Sequence, residues 1–329
     1  MMRSLPILLA ALILLPACAD DDRRRIVVYS PHGKEMLTAS EKSFESAYPA
    51  FDVQWIDMGG QDAYDRIRTE KSNPTASIWW GGAGPTFSRA AEEGLLASYT
   101  PSWADAVPAE ARGEGDAWFG TFLTPEVIMF NTRTVPEAER PNDWDDLLGP
   151  EWRDRIIVRY PLASSTMRTI WGALIMRQPS VEEGYEWLAR LDVNTKTYTA
   201  DPTQLYLKVA REEGDISLWN MPDTYIQSQI NGYPFGFVLP VSGTPVLNDG
   251  IAIVEGAPEP EGARLFYEHV TSDSALVDQA NTYYRIPVRT DIDSTALPGW
   301  ITSADIRAMD IDWQRLSDEG PTWMQYWDE

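Results

Sequence analysis

Four short stretches of this 329-residue chain combine backbone and side chains able to hold a charged solute. In the first, Ser30, Pro31 and His32 follow an apolar run; the imidazole can donate to an anion, ligate a metal, or bond within its own loop. In the second, Gly81, Gly82, Ala83 and Gly84 let the backbone approach a ligand. They lead into a helix start near Thr86, where free N–H groups attract negative charge, although the same glycines also suit a plain tight turn. Trp79 and Trp80 stand beside this turn, and strand alternation sends at most one of them, here Trp80, toward a ligand. In the third, Ser164, Ser165 and Thr166 precede the apolar helix around Ile170 to Met176. Their hydroxyls can cap that helix, donate to an anion, or do both. The fourth, Trp219 to Tyr225, offers Asn220, Asp223 and Tyr225. Asp223, Glu35 and Glu126 are placed to hold an ammonium group or a metal ion, each also readable as an exposed or structural acid. His269 falls within an amphipathic helix and reads as structural.

Signatures of catalysis are missing. The chain has no HExxH, no GxSxG and no complete phosphate loop, since the PHGKE segment lacks the upstream glycine and the hydroxyl after lysine. No cofactor is implied. A hydrolase built on a pair of carboxylates is the competing reading, because 50 Asp and Glu residues contain many accidental pairs.

The elements that must carry these loops follow from periodicity. Ile26 to Ser30 reads as a strand and Lys34 to Tyr48 as a helix closed by Pro49; Phe51, Val53 and Trp55 alternate as a second strand. Helix, strand and helix then follow over Gln61 to Lys71, Ala76 to Trp80, and from Pro85 onward. Such alternation predicts βαβ units with a mostly parallel sheet flanked by helices, and ligands then sit outside the carboxyl ends of the strands. Trp118 to Asn131 holds two strand-like runs separated by Pro125, which predicts a crossing between lobes. Further strands and helices alternate from Arg155 to Asn220, and Gly250 to Val288 reads as a return to the first lobe. The tryptophan-rich tail, Ser303 to Glu329, is expected to pack across the second lobe. The boundaries expected are 24–122 with 243–290 for lobe one, and 123–242 with 291–329 for lobe two.

Composition sets outer limits. A chain of this length exceeds one ordinary core, and 43% hydrophobic content with 14 Trp marks a folded protein. A formal charge of -23 disfavours nucleic acid, because a phosphate backbone would be repelled. Arg3, the apolar run Leu5 to Leu15, and then Pro16, Ala17 and Cys18 before Asp20, Asp21 and Asp22 form a secretory leader. Its apolar stretch falls short of the roughly 20 residues that span a bilayer. Cys18 is the sole cysteine. It stands where cleavage would leave it first, which resembles a bacterial lipobox apart from Pro16. Residues 1–18 are therefore assigned as a lipoprotein leader with Cys18 as the lipid site, and the protein is expected at the periplasmic or cell surface as a lipid-anchored monomer.

From Met129 to Ser165 the sequence MFNTRTVPEAERPNDWDDLLGPEWRDRIIVRYPLASS resembles the extracellular solute-binding proteins of ABC importers, in the group of ferric-iron, phosphonate and phosphosugar binders. The segments Val27 to Glu35 and Arg66 to Gly82 are similar to that family's first two ligand loops. The resemblance implies a two-lobed α/β clamshell of the type II periplasmic-binding-protein kind. It also implies a small-molecule or metal-ion ligand between the lobes and an ABC permease as partner. Iron-binding members place adjacent tyrosines after the strand that ends at Asn220; here those positions hold Met221 and Pro222.

Overall fold

The computed structural model describes residues 22–329, so the leader and Cys18 lie outside the described residues. β1 (Arg24–Ser30) sends Ile26, Val28 and Tyr29 into the core. α1 (Lys34–Ala47) buries Met36, Leu37, Ser40 and Phe44, a stripe at helical spacing. Pro49 then biases Tyr48 away from helix and ends it. β2 (Phe51–Asp57), α2 (Gly60–Thr69), β3 (Ile78–Ala83) and α3 (Gly84–Glu92) continue the alternation. β1 pairs in parallel with both β2 and β3. Every residue of β3 is buried, as expected for a strand covered on both faces. That burial takes both tryptophans out of reach of a ligand: Trp79 stacks on Phe87 at 3.7 Å, and Trp80 packs against His32 and Phe266.

β4 (Leu96–Ala97) and several short turns lead to β5 (Phe119–Asn131). The sequence suggests two runs split by Pro125; the chain forms one strand of 13 residues that changes partners there. Up to Pro125 it pairs with β10, and from Glu126 onward with β8. A proline lacks the donor a ladder needs, so it costs least where one ladder gives way to another.

The second lobe follows as β6 (Ile156–Arg159), α4 (Ser165–Met176), α5 (Val181–Asn194), β7 (Thr195–Thr199), α6 (Pro202–Ala210), β8 (Ile216–Asn220) and α7 (Met221–Tyr225). β9 (Phe235–Val238), unforeseen from sequence, pairs with β5. β10 (Val246–Val254) then inserts between β3 and β5, antiparallel to both. α8 (Pro260–Val270), α9 (Asp273–Tyr283), β11 (Ile286–Pro287), α10 (Gly299–Ser303) and α11 (Trp313–Asp328) complete the chain. One apolar core centres on Ile128, Trp144, Trp171 and Leu218, and another on Ile26, Val28, Phe119 and Phe266. The result is the two-lobed α/β clamshell with helix-flanked sheets, but these are mixed rather than mostly parallel. β1, β2 and β3 run parallel, as do β6, β7 and β8, whereas β10, β5, β9 and β11 all pair antiparallel where the chain crosses between lobes.

The tail departs from expectation. α11 lies against α4 but also against α3 of the other lobe. Leu316 fills the notch left by Gly172, and Ser317 Oγ donates to the Pro85 carbonyl at 3.2 Å. The last helix thus bridges both lobes instead of covering only the second.

Candidate functional site

The carboxyl ends of β1, β2 and β3 face those of β6, β7 and β8 across a cleft of about 620 Å³. The chain turns into a helix at most of these strand ends, so helix N-termini converge on the space. α1 and α2 begin after Gly33 and Gly59 with no side-chain cap. Their first-turn N–H groups are left for another acceptor. On the opposite wall Ser164 caps α4 through Met167 N, Asp201 caps α6 through Gln204 N, and Asn220 caps α7 through Asp223 N. Gly60 marks where the lobes approach each other: a Cβ there would stand 3.0 Å from Ser165 Oγ and 3.0 Å from the Gly82 Cα. Gly81, inside β3 at φ +103°, lets the end of that strand pass close to His32, whose Nε2 would lie 2.8 Å from an added Cβ.

Lys34, Arg159 and Arg285 are the cations lining the cleft; Lys34 is exposed and the two arginines are buried. Arg159, at the end of β6, donates through Nη2 to the Ala163 carbonyl at 3.3 Å and the Ala200 carbonyl at 3.5 Å. Its Nε has no partner. Burial lowers its pKa, while Asp62, Tyr206, Asp201 and Asp223 act in the other direction. Arg285 lies 3.4 Å from Asp223, and its Nε is likewise without a partner. Burial, and then Arg285, hold the His32 pKa well below its usual value, so the imidazole is neutral at pH 7. Its Nε2 is buried and unpartnered. Such free donors are costly unless something occupies them.

Carboxylates are interleaved with these cations: Asp223 meets Arg285, and Asp62, Asp201 and Asp223 act on Arg159. Asp57, Glu35 and Asp223 all line the cleft. Burial raises the Asp57 pKa, and Asp223 and Glu35 raise it further. Asp249 accepts from Gly82 N at 3.1 Å and Thr124 Oγ1 at 2.5 Å, and burial again pushes its pKa up. Glu126 is fully buried beneath this floor with neither carboxyl oxygen bonded. Burial, followed by Asp249 and Asp223, lifts its pKa well above the ordinary range. The Tyr206 phenol donates to Asp223 at 3.3 Å and accepts from Trp219 Nε1 at 2.9 Å. Burial, then Asp223, raises its pKa far upward.

Of the residues proposed from sequence, His32, Gly82, Ser164, Ser165, Thr166, Asn220 and Asp223 line the cleft, as does Glu35. Ser30, Trp80, Thr86 and Tyr225 do not. Ser30 is buried and its Oγ accepts from His32 N, so it shapes the loop. Trp80 is core, behind His32. Thr86 sits one turn into α3 and lines a different pocket. Tyr225 stacks on Tyr284 at 4.9 Å. His269 bonds Ser43 Oγ at 2.9 Å and packs on Phe44, a structural setting. Sequence reasoning missed Arg159, Arg285, Asp57, Gly59, Gly60 and Asp249. Arg159 was accessible: a lone arginine closing the apolar run Ile156 to Val158 stands at a strand's carboxyl end, where ligands bind. Among the described residues, no group of three or more His, Cys, Asp and Glu side chains is arranged to hold a metal ion.

A hinged α/β clamshell whose facing strand ends enclose a polar slot walled by helix starts defines a solute-binding protein. The family model described as bacterial extracellular solute-binding protein matches residues 74–309, and the chain belongs to that family. It is 23% identical over 321 residues to a probable ABC transporter periplasmic-binding protein of Sinorhizobium fredii, covering 94% of this chain and 86% of that one. It is also 23% identical to a putative 2-aminoethylphosphonate-binding periplasmic protein of Salmonella typhimurium, covering 73% and 70%. Among solved structures, the fold is shared with the fructose-6-phosphate-bound AfuA of Actinobacillus pleuropneumoniae. The TM-score is 0.80 at 23% identity, with 92% of this chain and 97% of that one covered. Iron-bound HitA of Pseudomonas aeruginosa also superposes, with TM-score 0.80, 19% identity, and 93% and 100% coverage. Among the described residues no helix is long and apolar enough to cross a membrane.

Proposed function

We propose that this protein captures a small zwitterionic or polyhydroxylated solute bearing a phosphonate or phosphate group and delivers it to an ABC importer. One observation carries the reading: the starts of α1, α2, α4 and α6 converge on the same cleft as Arg159 and Arg285. Helix N-termini and guanidinium groups are the standard hosts of a phosphoryl oxygen cluster. Asp57 and Glu35, which line the same cleft, then take an ammonium or hydroxyl group, while Asp223 is held by Arg285. Phosphonate and phosphosugar ligands named for similar proteins agree with this charge pattern.

Ferric iron is the weaker reading. Met221 and Pro222 stand where that chemistry wants phenolates, and the phenols of Tyr206 and Tyr283 are pushed toward retaining their protons, by burial first in both cases. We take the lobes as 24–122 with 243–290 and 123–242 with 291–329. They close about the partner change in β5, trapping solute without chemical turnover. We further propose that removal of the leader leaves Cys18 acylated and the protein tethered to the membrane face.

Calorimetric titration of the mature chain with 2-aminoethylphosphonate, a hexose phosphate, ferric citrate and a polyamine tests the assignment. Saturable heat from a phosphoryl compound, with the compound recovered unchanged, supports it. Response to ferric citrate alone, or hydrolysis of the added ester, overturns it. Fractionation of cells expressing Cys18→Ala tests the tether separately, which is refuted if the variant stays with membranes.

A further inference from the structure

We infer that a small oxyanion of the hydrogen phosphate class binds in a second pocket, apart from the solute cleft, between Arg89 of one lobe and Arg168 of the other. The pocket holds about 40 Å³ and is bounded by Gln61, Thr86, Arg89, Arg168, Leu316 and Pro321 among others, with α11 as its roof. That volume exceeds what a single water requires.

Its lining lacks the groups that would satisfy it internally. Arg89 sits over the Tyr64 ring at 4.6 Å, its Nε is buried without a hydrogen-bond partner, and no carboxylate among the described residues pairs with it. Arg168 spends Nη2 on the Leu162 carbonyl at 2.6 Å and Nε on the Pro161 carbonyl at 3.3 Å. Nη1 remains for another acceptor. The guanidinium groups are close enough to act on one another: after burial, Arg89 is the next influence lowering the Arg168 pKa, with Asp65 and Asp62 of α2 opposing it. Two like charges brought together across a seam call for a counter-ion. Gln61, 6% exposed, gives Nε2 to Asp65 at 3.0 Å, and its Oε1 is buried without a donor. An oxyanion that keeps a proton near neutral pH satisfies all three: acceptor oxygens for Arg89 and Arg168, and a hydroxyl for Gln61. Since the arginines belong to opposite lobes, the ion favours the closed arrangement over the open one. Thr86, which the sequence assigns to the solute cleft, lines this pocket instead.

The source of the phosphoryl oxygens is a free ion, and the test separates it from the far end of a cleft solute. Inorganic phosphate is titrated calorimetrically into the mature chain and into Arg89→Gln, Arg168→Gln, the charge-retaining Arg168→Lys and the cleft variant Arg159→Gln, each checked for a cooperative melt. The expected result is phosphate binding in wild type and Arg159→Gln, at least tenfold weaker binding in Arg89→Gln and Arg168→Gln, and an intermediate value for Arg168→Lys. Binding lost in Arg159→Gln but kept in both glutamine variants places the ion in the cleft and overturns the inference. So does the absence of any phosphate response in wild type, or a glutamine variant that weakens only the organic solute. None of these failures touches the solute reading, which rests on Arg159 and the cleft.

Discussion

Arg285 reaches Asp223 at 3.4 Å across the floor of the cleft, one residue from the segment after α9 and the other from α7 in the opposite lobe. The arginine side chain is 5% exposed. It is the cation nearest a floor that also holds Asp249 and His32. Arg285→Gln removes the cation that meets Asp223 and acts on Asp249. Breaking a buried pair costs about 3 kcal/mol, and with Asp223 a quarter exposed and Arg159 also acting on it the loss should be smaller than that. Melting curves should show a clear loss, with Arg285→Lys falling between. An unchanged melting temperature would mean the pair is incidental.

Arg159→Gln removes the guanidinium whose Nε is free to meet a ligand. Hydrogen bonds to charged groups contribute about 1.5 to 3 kcal/mol, so affinity for a phosphonate should fall roughly 10- to 100-fold. Affinity for a neutral sugar, if any is measurable, should not follow it. Equal losses for both compounds would point to collapse of the cleft wall.

Gly81→Ala tests the close approach of the end of β3 to the loop after β1. At φ +103° an alanine is strained, and its Cβ would lie 2.7 Å from Pro31 Cδ. The left-handed backbone alone costs about 1 to 3 kcal/mol. The same variant displaces His32, so solute binding should weaken together with stability. Retention of both would show that the loop yields easily.

Glu126 sets a pH dependence. Its folded pKa is raised, so the folded state holds more protons than the unfolded chain between the unfolded value near 4.5 and the elevated folded one. Stability therefore falls as pH rises through that window. Glu126→Gln cannot ionise, and its melting temperature should exceed that of wild type by more at pH 8 than at pH 5. A gain equal at both values would show that the carboxyl is not what titrates.

Much of the scaffold was legible because buried strands write apolar runs and their helices write stripes, as in Ile26 to Ser30 followed by Lys34 to Ala47. The loops after β1, β3, β6 and β8 were found by one rule, that ligands meet strand ends. Individual side chains were harder. Trp80 could not be told from Trp79, since β3 is covered on both faces and alternation then carries no information. Arg285 was not singled out, because sequence does not reveal which charges the fold buries, whereas Arg159 could have been found by the strand-end rule. β9 and α9 lacked a distinct periodic signal. The reach of α11 onto α3 depends on how two lobes are set together, which no local pattern encodes.

The position of β10 bears on how this protein is made. It fills the gap between β3 and β5, yet it is synthesised after the whole of β6 to β9. Until it arrives, the sheet of the first lobe lacks the strand that joins β3 to β5. The first lobe therefore closes its sheet only after about 250 residues have been made, so its completion waits on strand pairings longer in range than those of the second lobe.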